Sequence, residues 1–209
     1  MISLKRFADI FLRALLTGFA IGIGGIVYLS CESRYIGSFL FGTGLFVILN
    51  FGFNLFTGKV GYAVENKPAY LIDLALIWLG NLAGTAATGI MTAHTRISGI
   101  GKKAAELCDV KLSDGPVSIL ILSFFCGMLM FIAADGFKRS ENPTAQVLMV
   151  FLPVMVFILC GFEHCVANMF YFTAAEAWSA KAFLWLVLMT LGNSLGGIFI
   201  PLVRKGFVK

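Results

Sequence analysis

Two neighbouring ionisable residues, Glu163 and His164, lie in the middle of a long apolar stretch of the sequence. An ionisable side chain at the centre of a membrane span is costly, and such residues tend to mark the path of an ion or a proton. His164 is therefore the main candidate for a functional group; the alternative is a neutral histidine that hydrogen-bonds between helices. Adjacent helical residues do not share a face, so we interpret Glu163 as structural support that accepts N–H groups freed by a break in the helix.

The sequence does not favour the common hydrolytic sites. The chain has two histidines and no HExxH motif, so a metalloprotease lacks its ligands. Residues 192–196, Gly-Asn-Ser-Leu-Gly, match the GxSxG pattern, but they lie inside a long apolar stretch and not at the strand-to-helix turn that a serine nucleophile needs. Cys160, His164 and Cys165 are three possible metal ligands, but no second cluster accompanies them, and we predict no metal. We also predict no cofactor, and the chain is not expected to be an enzyme.

The composition predicts that the protein lies in a lipid bilayer. Hydrophobic residues make up 59% of the chain and charged residues 13%, which is about half the charged share of soluble domains. The mean hydropathy is +0.91. A soluble fold of 209 residues cannot bury that much apolar surface. These values argue against a soluble enzyme, a nucleic-acid-binding module and a disordered regulator.

Six stretches are apolar and long enough to cross a membrane, which takes about 20 residues in a helix. They are residues 10–30, 38–62, 70–91, 117–135, 145–177 and 182–203. With six spans both termini lie on one side, and that side carries ten Lys and Arg residues, Lys209 among them, against six on the other. This excess of positive charge predicts a multi-pass protein of the cell membrane with both termini in the cytoplasm. The basic loop 92–116 on the opposite side makes the excess smaller.

The second and fifth stretches carry polar residues at their centres. Asn50, Asn54 and Thr57 lie in the second, and Glu163, His164 and Asn168 in the fifth. We therefore predict that both helices are broken, since irregular backbone at membrane depth is tolerated only beside protein or a watery cavity. A pair of interrupted spans at corresponding places in two halves indicates a transport site.

The two halves of the chain share a pattern of glycine-led markers. Gly18 and Gly127, residues 52–55 and 161–164, and residues 79–84 and 191–196 are matched pairs, each shifted by about 110 residues. Each half has three spans, an odd number, so the second copy is inverted relative to the first. The predicted fold is a single all-α integral membrane domain, 1–209, of six transmembrane helices in an inverted 3+3 repeat with halves 1–110 and 111–209.

Residues 161–170, Gly-Phe-Glu-His-Cys-Val-Ala-Asn-Met-Phe, resemble the signature of the formate/nitrite transporter family, and residues 55–58, Leu-Phe-Thr-Gly, resemble its other broken-helix motif. The resemblance covers essentially the whole chain. It implies a homopentamer of six-span protomers with an aquaporin-like inverted repeat. Each protomer would hold its own pore for small monovalent anions such as formate, nitrite, lactate or hydrosulfide.

The resemblance also assigns roles to individual residues. His164 would be the central pore histidine and Thr57 its hydroxyl counterpart. Glu163 and Asn168, which belong to the predicted break in the fifth stretch, are expected to give structural support. Lys111 would match a basic residue near the non-cytoplasmic vestibule, where it could raise the local concentration of anions. Two apolar constrictions would be formed by Phe41, Leu45, Leu55, Phe56 and Phe157.

The expected substrate depends on where the sequence departs from the family. Formate-type members have an asparagine in span four where this chain has Gly127, which removes an amide that could bind a carboxylate. The sequence as a whole most resembles the hydrosulfide-channel branch, so hydrosulfide is the leading prediction. The alternatives are a formate or nitrite channel or proton-coupled transporter of the same family, and a non-transporting membrane scaffold or sensor. An aquaporin-type pore for neutral solutes would need paired Asn-Pro-Ala motifs, which the sequence lacks.

Overall fold

The computed structural model describes residues 4–207, with the side chain of Phe207 left out. All regular secondary structure within these residues is helical. Lys209 lies outside the described residues. The helices are α1 (Leu4–Ser30), α2 (Arg34–Asn50), α3 (Phe56–Lys59), a 3₁₀ helix (Val60–Glu65), α4 (Tyr70–Ala93), α5 (Ile100–Ser113), α6 (Pro116–Arg139), α7 (Pro143–Leu159), α8 (Cys165–Ala174) and α9 (Ala180–Phe207).

Four of these helices, α1, α4, α6 and α9, are long and apolar enough to cross a membrane. The helices α2, α7 and α8 are also apolar but shorter. Residues 51–55 separate α2 from α3, and residues 160–164 separate α7 from α8. Most of the polar residues that the sequence places inside the second and fifth stretches therefore lie at or beside these two interruptions.

A glycine in the left-handed region ends the helix before each interruption. Gly52 has a φ of +66° and Gly161 a φ of +70°. The next residue folds back in both cases: the N–H of Phe53 donates to the carbonyl of Ile48 at 2.9 Å, and that of Phe162 to Phe157 at 2.8 Å. This is the Schellman ending, which favours glycine because other residues pay a steric penalty at positive φ.

Two tightly packed helix pairs hold the fold together. Gly80 of α4 lies against Ala14 of α1, where an added Cβ would come within 2.6 Å of the Ala14 Cβ. Gly192 of α9 lies in the same way against Ser123 of α6, at 2.5 Å. Glycines at these positions let the helix backbones approach closely, which is how helices associate in lipid.

The segment 92–116, predicted as a basic loop, contains the helix α5. Ile100, Ala104 and Cys108 recur at intervals of four residues and are buried, so one face of α5 packs against the rest of the protein. A helix within this connection was not predicted, because exposed charged residues such as Lys102, Lys103 and Asp109 obscure the apolar periodicity.

Candidate functional site

The side chain of His164 caps the first turn of α8. Its Nδ1 accepts the backbone N–H of Ala167 at 3.1 Å, and its Nε2 lies 2.8 Å from Oγ1 of Thr57. Because Nδ1 accepts a hydrogen bond, the neutral ring carries its hydrogen on Nε2 and donates it to Thr57. The hydroxyl hydrogen of Thr57 is then available to another acceptor. Both side chains are buried, so the starts of α3 and α8 meet at this contact.

Apolar residues surround the contact between His164 and Thr57. The ring of Phe157 lies 5.5 Å from that of His164, and the ring of Phe41 meets Phe157 edge-on at 5.9 Å. Leu55 occupies the N-cap position of α3 without making a side-chain hydrogen bond, and Phe56 is the first residue of this helix. The five side chains predicted to form constrictions, Phe41, Leu45, Leu55, Phe56 and Phe157, are all at most 6% exposed.

A buried asparagine braces each interruption. The side-chain oxygen of Asn81 accepts the N–H of Phe56 at 2.9 Å, and its amide donates to the carbonyls of Ala14 and Asn54, both at 2.9 Å. These bonds fix the start of α3 against α1 and α4.

Asn193 repeats this arrangement in the second half. Its oxygen accepts the N–H of Cys165 at 2.8 Å, and its amide donates to the carbonyls of Ser123 at 2.7 Å and Glu163 at 2.8 Å. Each partner is shifted by 109 residues from its counterpart at Asn81. Sequence reasoning treated these segments as packing motifs and missed both asparagines, although an asparagine repeated within two apolar helices is a visible signal.

Glu163 has a different partner from the one expected. Its Oε2 accepts from Nζ of Lys111 and from Nδ2 of Asn168, both at 2.7 Å, rather than from backbone N–H groups. The break in the helix is satisfied by Asn193 instead. A buried carboxylate needs charge compensation, so Lys111 is drawn inward, and its side chain is only 13% exposed. Lys111 therefore does not stand free in a vestibule.

Gly127 does not offer space for a longer side chain. An added Cβ would lie 2.7 Å from the Cα of Asn193, so Gly127 packs against the backbone of α9. Gly18 packs in the same way against Gly84 of α4. The inference that Gly127 removes a substrate-binding amide from the pore is therefore wrong, because this residue is a packing glycine.

A cavity of about 690 Å³ opens beside α3. We call the face on which it opens the terminal face, because α9 ends there, with Arg204 bonded to Asp135 near the end of α6 at 2.9 Å. The cavity reaches Gly58, which directly follows Thr57, and its wall includes Lys59 and Lys138.

Comparison with a solved structure identifies the fold as that of an all-helical membrane channel. A pentameric formate channel with formate bound superposes with a TM-score of 0.82 at 24% sequence identity. The match covers 97% of this chain and 98% of that chain.

The chain belongs to the formate/nitrite transporter family, since the family model described as "Formate/nitrite transporter" matches residues 3–204. The formate channel FocB of Escherichia coli (strain K12) is 24% identical over 184 residues, covering 78% of this chain and 64% of that protein. The nitrite transporter NirC of Salmonella typhimurium is 28% identical over 178 residues, covering 76% and 65%. The chain thus spans just under two thirds of these relatives. The family comprises transporters and channels, which are not enzymes.

Proposed function

We propose that the chain forms a channel for small monovalent anions, with His164 and Thr57 at the centre of the pore. The observation that carries this proposal is the 2.8 Å contact between their side chains, because it joins the starts of two interrupted helices in an apolar setting. Phe41 and Phe157 form the constriction on one side. The second constriction, on the side of the terminal-face cavity, consists of Leu45, Leu55 and Phe56. We assign Leu45 to it because Ile48, about one turn further along α2, lines that cavity.

The proposed architecture has six spans. Span two consists of α2 with α3 and the 3₁₀ helix, span five consists of α7 with α8, and the four long helices are the others. The matched bonds of Asn81 and Asn193 support an aquaporin-like inverted repeat with halves 1–110 and 111–209. We further propose a homopentamer, as in the formate channel of the same fold, and a cytoplasmic position for the terminal face and both termini.

The proposed mechanism addresses the cost of moving an ion through apolar rings. Removing a bare charge from water costs many kcal/mol. The anion is stabilised at the centre by the Nε2–H of His164, by the hydroxyl of Thr57 and by the positive end of the α8 dipole. Alternatively, His164 or a water chain lends a proton, and a weak acid crosses the rings in its neutral form. Lys111 balances the charge of Glu163, which would otherwise repel anions near the centre.

Hydrosulfide is the substrate we propose, because its conjugate acid titrates near neutrality and so suits transfer of a proton within the pore. Formate and nitrite are the alternatives, and the names of FocB and NirC favour them. A non-transporting scaffold or sensor would have no use for the buried pair of His164 and Thr57 between two apolar rings.

Uptake by proteoliposomes tests this proposal. Hydrosulfide, formate and nitrite are compared at several pH values for the wild type, His164→Ala and His94→Ala. We expect His164→Ala to change the rate or the selectivity about tenfold or more, equivalent to about 1.4 kcal/mol, and to alter the pH dependence. His94→Ala is the matched control. His94 is exposed at the end of α4, so its substitution should leave the rate, the selectivity and the pH dependence unchanged.

Each result has a distinct meaning. If His164→Ala leaves selectivity, rate and pH dependence unchanged, the central role of His164 is wrong. Preference for formate or nitrite would discard hydrosulfide while keeping the channel. If no anion is taken up by the wild type, the scaffold interpretation replaces the channel.

A further inference from the structure

The cavity on the terminal face is much larger than a small monovalent anion requires. Its volume of about 690 Å³ lies within the range of sites that enclose metabolite-sized ligands, roughly 300 to 1,000 Å³. It lies directly beside the proposed pore, since Gly58 belongs to its wall and the preceding residue, Thr57, is buried at the proposed centre. A ligand bound here would occupy the mouth of the pore.

The positive charge in this cavity exceeds the negative charge that can balance it. Lys59 is half-buried, and its ammonium has no hydrogen-bonding or ion-pair partner within residues 4–207. Lys138 lines the same cavity and is close enough to act on Lys59 electrostatically. Lys138 also lies over the ring of Tyr62, with its Nζ 5.3 Å from the ring centroid. Lys59 and Lys138 therefore contribute two positive charges to the wall of one cavity.

The acidic residues of the cavity leave this excess in place. Asp135 is already bonded within the protein: it accepts from Tyr62 at 3.1 Å, from Arg139 at 2.7 Å and from Arg204 at 2.9 Å. Glu65 is exposed on the rim. Lys59 and Lys138 consequently have no carboxylate bonded to them in the part of the chain that the structure describes.

A ligand with several negative charges fits this arrangement and could not continue through the pore. The ring proposed on this side of the pore contains the buried side chains of Leu55 and Phe56, which lie three and two positions before Gly58 of the cavity wall. Stripping water from two or more charges at such a ring costs more than stripping it from one. A multivalent anion would be attracted by the cations and stopped by the ring.

We propose that the terminal-face cavity binds a multivalent oxyanion, a polycarboxylate or a polyphosphate, that blocks the pore from this face. The proposal rests on the proposed channel function and adds a regulatory ligand to it. Lys59 and Lys138 supply the charge-assisted hydrogen bonds that hold the oxyanion.

The test measures block of monovalent-anion flux in proteoliposomes by citrate or pyrophosphate in magnesium-free buffer. Each probe is placed either inside or outside the vesicles, on protein of known orientation, and inhibition is expressed relative to each variant's own uninhibited flux. We expect block from the terminal face alone, and Lys59→Gln should raise the half-blocking concentration about tenfold, as expected for loss of one charge-assisted bond. The matched control is Lys102→Gln, an exposed lysine on α5, which should leave the block unchanged.

The outcomes separate this inference from the channel function. Block by both citrate and pyrophosphate supports a site for multivalent oxyanions in general. Block by only one of them identifies the ligand as a polycarboxylate or as a polyphosphate. If monovalent flux is present but neither probe blocks it, or if block survives in both Lys59→Gln and Lys138→Gln, the inference is overturned and the channel stands. If no flux is found, the channel fails, and calorimetric binding of pyrophosphate to the purified protein still decides on the site: binding that Lys59→Gln weakens supports it, and no binding overturns it.

Discussion

Replacing Asn193 with alanine should destabilise the protein strongly, because this side chain holds the start of α8 in place. The substitution leaves the N–H of Cys165 and the carbonyl of Glu163 without their buried partner. An unsatisfied buried polar group costs about 1 to 3 kcal/mol, so the two together cost about 2 to 6 kcal/mol. Hydrogen bonds between membrane helices average about 0.6 kcal/mol each, and three such bonds give a similar lower bound of about 2 kcal/mol.

Thermal unfolding of the purified protein in detergent measures this effect. A loss of about 2 kcal/mol corresponds to a fall in Tm of about 4 °C or more for a chain of this size. Ser194→Ala is the matched control. Among residues 4–207 the Ser194 hydroxyl bonds only within its own helix, to the carbonyl of Thr190 at 2.7 Å, and its loss should shift Tm little. Asn81→Ala should behave like Asn193→Ala because its bonds are equivalent. A Tm for Asn193→Ala equal to that of Ser194→Ala would refute the bracing role.

Two smaller predictions concern the outer segments of the fold. Glu176, with a φ of +53°, ends α8 in the left-handed region, so Glu176→Gly should raise the free energy of unfolding by about 1 kcal/mol; an unchanged or lower Tm would contradict this. Burial raises the pKa of the Cys108 thiol on α5 to about 12, so little thiolate forms at pH 8, and maleimide should label exposed Cys160 far faster than Cys108 when modification is followed by mass spectrometry. Comparable labelling of both residues would show that Cys108 is accessible and ionised.

The sequence predicts those features that depend on local chemistry. The positions of both helix interruptions follow from polar residues within apolar stretches, and His164 stands out because an ionisable group is costly there. Two of the glycine markers, Gly52 and Gly161, also have a local cause, since each occupies a left-handed turn.

Features that depend on distant partners could not be predicted in the same way. The bond between Lys111 and Glu163 joins residues 52 positions apart, and nothing in either segment specifies the other. Gly127 was interpreted as a missing amide because its neighbour Asn193, which fills the space, lies on another helix. The buried face of α5 was missed for a similar reason: five of the 14 residues of this helix are charged, and only packing shows which side is buried.

The equivalent bonds of Asn81 and Asn193 allow different side chains to stand at the starts of α3 and α8. Leu55 and His164 occupy the same place relative to their braces, each as the residue that caps a half-helix, yet one is aliphatic and the other ionisable. Because Asn81 and Asn193 bond backbone groups, the braces do not depend on which side chain stands at that place. Two equivalent braces can therefore support two different side chains, and the residues at the centre need not match for the starts of α3 and α8 to be held in the same way.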